Sequence, residues 1–234
     1  MRKLVIAVLL VLLLPVCSFA GTKLFKDYEY GMSKEEVRNK SKAVPCQDSR
    51  VRGNLCIAQP VPFAGKEWEM AFMLDKDRLV SVVLVKPFDE ITYNNVMKTT
   101  LVKNGFTPLY ARADSYEVDI IAVAKKQGKE ALKMALAKAY PGKAQTILYS
   151  FFDGEHIKSS VSAYQPDTLK DFLEHAEIGT RSVDVVVNNG MLMLKFLAPL
   201  DALADMKKDS SSAEEAFQGA EIPLPRTTCV YKRL

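Results

Sequence analysis

The sequence predicts an α+β chain built from tandem αββ units, whose hairpins form one or two antiparallel sheets with helices packed on one face. Helix-start signals fall near residues 33, 89, 129 and 167, and the last three are spaced by close to forty residues, a structural period without repeated identities. Each start is followed by two short runs with the alternation or β-branched composition of strands. Turn-forming residues separate the runs of each pair, at 75–78, 113–115, 153–155 and 188–190.

The first unit opens with Gly31-Met32-Ser33-Lys34-Glu35-Glu36-Val37. Ser33 is placed to accept from the backbone three residues on, and Glu36 to reach back to Ser33, so a capping box starts a helix over 34–42 that stops before Pro45. An irregular loop, 45–65, carries three prolines, two glycines, Cys46 and Cys56. Trp68, Met70, Phe72 and Leu74 then alternate along one strand, 68–74, which returns through Asp75-Lys76-Asp77-Arg78 as the strand 79–85.

In the second unit Asp89 caps a helix with Tyr93, Val96, Met97, Thr100 and Leu101 on one face, and Gly105 ends it. Strands are expected at 106–112 and 116–124. The third unit has a helix at 129–140, stopped by Pro141-Gly142, and strands at 144–152 and 156–164 around Asp153-Gly154-Glu155, a sequence with hairpin chemistry. In the fourth, a helix at 168–177 precedes strands 182–187 and 191–198 around Asn188-Asn189-Gly190. A short helix, 200–208, follows.

The chain therefore divides into residues 1–20, a first αββ pair with its cysteine loop at 21–124, a second pair at 125–209, and a peripheral tail at 210–234. Residues 1–20 read as a secretory signal: Arg2 and Lys3 precede an apolar run, and Ser18-Phe19-Ala20 form a small-x-small site, so cleavage is expected between Ala20 and Gly21. The apolar stretch is also compatible with an uncleaved anchor, against which Pro15 and the small residues near its end argue. Lipid anchoring at Cys17 is disfavoured because Val16 stands where a small residue is usual.

The whole chain carries a formal charge of +4. Loss of Arg2 and Lys3 lowers it to +2, spread evenly, with 15 basic and 14 acidic side chains in each of 21–124 and 125–234. Neither half has the basic excess needed to neutralise a phosphate backbone, so nucleic acid is not an expected partner. A hydrophobic content of 48% fits a folded chain with no stable membrane span once the signal is removed.

Export to the periplasm or beyond places the cysteines where disulfides persist. Closing the ten-residue step from Cys46 to Cys56 stabilises by about 3 kcal/mol in the chain-entropy account. Cys229 is left over, and a free thiol, an intermolecular bond and competition for one of the other two all fit the sequence.

The secretory signal, the G-M-S-K-E-E-V helix start and the F-x-L-D-x-D-R-L-V pattern of residues 72–80 together resemble a group of small envelope domains, the SmpA/OmlA (BamE-like) and β-lactamase-inhibitor-protein-like domains. The resemblance covers residues 28–86. It implies helices on one face of an antiparallel sheet, and a role in binding other proteins or scaffolding envelope assemblies.

Residues with catalytic chemistry are sparse. His156 and His175 lack metal-ligand spacing and adjoin no nucleophile motif. Asp75-Lys76-Asp77 has neither the glycine nor the distal glutamate of a calcium loop, and Cys229 has no C-x-x-C partner. Trp68 and the Met191, Met193, Phe196 group read as packing. No metal or cofactor is expected. The sequence points to an exported, non-enzymatic module that binds another envelope protein through its sheet or its loops, with Arg50, Arg52 and Asn54 in the cysteine loop as candidate interaction residues. The alternative is an exported enzyme or small-ligand binder whose site is assembled between repeats.

Overall fold

The computed structural model describes residues 21–47 and 54–216, the last nine as backbone only. Residues 1–20, with the signal reading and Ala20, lie outside the described residues, as do Arg50, Arg52 and Cys229.

In chain order the elements are β1 (Lys23–Phe25), β2 (Tyr28–Glu29), α1 (Lys34–Ser41), β3 (Val44–Pro45), β4 (Leu55–Cys56), β5 (Val61–Phe63), β6 (Lys66–Asp75) and β7 (Arg78–Pro87). Helix α2 begins as Glu90–Asn95, passes through a π-helical Val96–Thr100 and ends as Leu101–Lys103. There follow β8 (Phe106–Ala113), β9 (Tyr116–Asp119), α3 (Ile120–Leu136), β10 (Thr146–Asp153), α4 (Gly154–Tyr164), α5 (Leu169–His175), β11 (Ser182–Asn188), β12 (Met191–Leu197) and α6 (Pro199–Ala216). No helix among the described residues is long and apolar enough to cross a membrane.

The expected α+β class is observed. The hairpins form one antiparallel sheet in the order β3-β4-β6-β7-β12-β11-β10-β8-β9, with β5 on the rim of β6 and β1-β2 as a separate ribbon. The last hairpin sits between the first and the second, because β12 pairs with β7 and β11 with β10. Strands from 21–124 and from 125–209 thus share a single sheet.

Local chemistry accounts for most of these elements. Ser33 and Glu36 form the reciprocal capping box, and Lys42 ends α1 in the left-handed region. Asp89 caps α2 by accepting from the Thr92 amide at 2.7 Å. The β6-β7 turn holds Lys76 and Asp77 at positive φ, and the β11-β12 turn does the same with Asn189 and Gly190, the backbone that two-residue hairpins need. One face of the sheet carries the main core. Val82, Leu84, Leu192, Leu194, Val183, Val185, Ile147, Tyr149, Phe151 and Ala111 pack there beneath α1, α2 and α3.

Four expectations are corrected. The strand expected at 156–164 is the helix α4. Asp153 leaves the sheet in an extended conformation and accepts from the Glu155 amide at 3.0 Å, so Asp-Gly acts as a helix cap rather than a hairpin turn. Gly154 is required by close approach: a Cβ there would lie 2.4 Å from the Gly105 carbonyl oxygen, which its amide contacts at 2.8 Å. The strand expected at 116–124 stops at Asp119, whose carboxylate accepts from Ala122 and starts α3 nine residues before the expected helix. Gly128, at φ 80° and ψ −178°, marks the break between the two parts of α3.

The third correction follows from the first. Because α4 replaces a strand, the chain crosses to the other side of the sheet, where Phe152 and Leu109 pack against Phe172 of α5 with Ile157, Leu169 and Leu173 around them. Helices therefore cover part of both faces. Helix α6 also continues to Ala216, beyond the expected end at 208 and into the stretch expected to be a peripheral tail.

Candidate functional site

Alternation along the central strands sends every second residue to the face opposite the main core, and the register aligns those residues in rows. One row runs Val83, Lys195, Asp184, Ser150, Tyr110 across β7, β12, β11, β10 and β8. The next runs Val85, Met193, Val186, Leu148, Arg112 over the same strands. Except for Leu148, which is buried, these residues are half-buried, and α4 and α5 cover only the end of the face beyond Phe152. The remainder is an open face with an apolar strip beside a polar one.

The polar strip is internally paired. The Asp184 carboxyl is desolvated among its neighbours, which raises its pKa above the usual carboxylate range against the opposing pull of the Ser150 hydrogen bond and of Lys195 and Arg112. Tyr110, also desolvated and donating to Glu117, is pushed up to about 12. At neutral pH Tyr110 is a neutral phenol.

The edges of the sheet are poorly suited to strand addition. At one side β4 and β5 occupy different stretches of β6, and the Leu74 amide beyond them donates to the Asn54 side chain at 2.8 Å. At the other, β9 is four residues long and Pro108 interrupts the donor row of β8. Among the described residues the edges of the sheet are short or covered, whereas this face lies open beyond α4 and α5.

The residues singled out in the sequence fall mostly into structural roles. Cys46 and Cys56 are bonded, with Cα atoms 5.0 Å apart. Asn54, expected as an interaction residue, is buried; its carbonyl accepts from Cys46 and its side chain from Leu74, so it clamps the cysteine loop to β6. Trp68 is buried, and its indole N–H donates to the Phe63 carbonyl at 2.9 Å. Phe196 faces the core and Met193 the open face. Asp77 pairs with Lys34 at 3.0 Å.

Each histidine lies beside an aspartate. His156 Nδ1 lies 4.0 Å from Asp153 Oδ1, yet that oxygen caps α4 and the other is held by Arg181. His175 stacks on Tyr164 with ring centroids 4.6 Å apart and lies 3.4 Å from Asp171. Among the described residues, no three His, Cys, Asp or Glu side chains meet as a metal site.

A small crevice of about 290 Å³ lies at the sheet end near Arg181. Phe25, Phe63 and Phe196 form its floor, and Lys26, Asn104 and Arg181 also line it. Arg181 is committed to Asp153 and covers the Phe106 ring at 5.4 Å.

Sequence reasoning passed over Asp184 and Lys195. The available signal was a single charge inside each otherwise apolar strand, Ser182–Asn188 and Met191–Leu197. Comparison of the chain with protein-family models, with curated protein sequences and with solved structures gives no match.

Proposed function

We propose that this chain is an exported envelope protein, non-enzymatic, that binds another protein through the open face of its sheet. The observation carrying this reading is the pair of rows centred on Val186 and Asp184: an apolar strip, Val85-Met193-Val186-Leu148, beside paired polar groups, on a sheet whose edges are short or covered. Such a face suits a polypeptide that offers apolar side chains, with a polar rim to fix register. The signal-like residues 1–20 and the Cys46–Cys56 bond support export to the periplasm or beyond, and the resemblance of residues 28–86 to BamE-like envelope domains points the same way.

The test is capture from envelope extract by the mature protein and two variants. A stoichiometric protein held by the wild type and by the exposed-helix control Lys133→Glu, but lost by the folded double variant V186K/M193K, is the expected result. Retention by the double variant, or absence of any stoichiometric protein on the wild type, overturns the reading.

A second reading, an exported small-ligand binder, rests on the crevice beside Arg181, whose aromatic floor and Lys26 ammonium suit a small carboxylate with an apolar body. Titration with benzoate, monitored by NMR, decides it through saturable shifts at Phe25 and Phe196 or their absence.

A further inference from the structure

Two aspartates anchor the start of helix α6. Asp201 accepts from Thr22 Oγ1 at 2.7 Å and from the Gly179 amide at 3.0 Å, and Asp205 accepts from the Tyr30 hydroxyl at 3.0 Å, so its first two turns are tied to the residues flanking the β1-β2 ribbon and to the segment between α5 and β11. The adjoining stripe Leu200, Leu203, Ala204 and Lys207 faces α5 across a groove of about 730 Å³, whose other wall is Leu169, Leu173 and Ile178. Ile178 is 69% exposed, Leu203 44% and the neighbouring Met206 59%, which concentrates large exposed apolar side chains at one place.

We propose that this groove is occupied by the chain's own segment after α6, with Ile222 and Leu224 laid between α5 and α6. Reach and direction support that occupant. Helix α6 ends at Ala216, nine residues and about 14 Å beyond Lys207. Leu203 lies 13 residues, about 20 Å, back along α6 from Ala216, so a reversal at residues 217–218 leaves four extended residues, about 14 Å, to bring Ile222 to the level of Lys207 and six to bring Leu224 to that of Leu203. Ile222 and Leu224, two apart, share one side of an extended strand. Pro223 and Pro225 cannot prolong the helix, and they lack the N–H groups that an apolar groove leaves unsatisfied. The segment is thereby a built-in plug, and any external apolar ligand for this groove competes with it.

Methyl-labelled mature full-length protein tests the assignment, since substitutions in the segment leave the sheet and its two cores intact. Expected are intramolecular NOEs from the Ile222 and Leu224 methyls to those of Leu173, Ile178 or Leu203, their loss in I222D/L224D and in L203D, and a roughly twofold rise in the fluorescence of a surface-apolar dye with I222D/L224D. Random-coil methyl shifts for Ile222 and Leu224 with no NOE to the groove would overturn it. So would NOEs that appear only between differently labelled chains, which assign the groove to a second copy, or dye binding unchanged by I222D/L224D.

Discussion

Arg181 holds Asp153 through two nitrogens of its guanidinium, Nε at 2.9 Å and Nη2 closer, at the corner where β10 ends, α4 begins and β11 is about to start. Asp153 is 7% exposed, and burial alone would raise its pKa; Arg181 and the Glu155 amide outweigh that and hold it below the usual carboxylate range. A carboxylate lowered on folding contributes stability above its unfolded pKa of about 3.9, and that contribution is lost as pH falls through the folded value. Arg181→Met leaves the carboxylate buried without its cation and is expected to cost about 2 kcal/mol at pH 7. The further change Asp153→Asn is expected to recover part of the loss. Urea melts of the four chains of this cycle at pH 7 and below pH 4 measure the coupling, and a coupling that persists unchanged in acid would contradict the assignment.

Gly154 faces the Gly105 carbonyl with no room for a side chain, so Gly154→Ala is expected to cost about 2 kcal/mol by forcing backbone to move. Because both residues lie where α2, β8, β10 and α4 meet, that loss should come with faster amide exchange in α4. A substitution that melts at the wild-type temperature would show that the corner yields freely.

The Cys46–Cys56 bond closes the loop that begins the sheet's β3-β4 edge. Its removal by Cys46→Ser with Cys56→Ser is expected to cost about 3 kcal/mol in urea melts, with the wild type falling to the same level under reductant. Intact mass of protein recovered from an envelope fraction, with and without reduction and alkylation, is expected to begin at Gly21 and to gain two alkyl groups on reduction. A mass beginning at Met1, or a diacylglyceryl group on Cys17, would reject the processing expected from residues 1–20.

Signals confined to a few neighbouring residues were legible in the sequence. The Ser33-Glu36 capping box, the Asp89 cap, the Asn189-Gly190 turn and the alternation of Trp68, Met70 and Phe72 each act within one turn or one strand, and each is present in the fold. Asp119 and Asp153 were equally local but ambiguous, because an aspartate after a strand can enter a turn or cap a helix with the same side chain. For the segment after Asp153, Ile157 and Ser160 turn inward while Val161 and Tyr164 are exposed, so no apolar stripe marked the helix and the Asp-Gly pair pointed to a turn. The insertion of β12 beside β7 depends on contacts more than a hundred residues apart, and no periodicity encodes it. The open face emerged only with that register, since Asp184 meets Lys195 through the β11-β12 hairpin and Ser150 through the β10-β11 pairing.

Asp184 ties that face to stability. Desolvation outweighs Ser150, Lys195 and Arg112, so its folded pKa is raised, and ionised Asp184 lowers stability as pH rises through the unfolded value and up to the folded one. Asp184→Asn is therefore expected to be more stable than the wild type at pH 7 and indistinguishable from it near pH 2, where both side chains are uncharged. Asp184→Val, which also removes the polar edge of the strip, should match or exceed that gain while weakening capture of the protein partner. Thermal melts at the two pH values, paired with the capture assay, separate the roles: a destabilised Asp184→Asn at pH 7 would mean that the ion pairs outweigh burial. Unchanged capture by a stabilised Asp184→Val would move the binding surface away from this row.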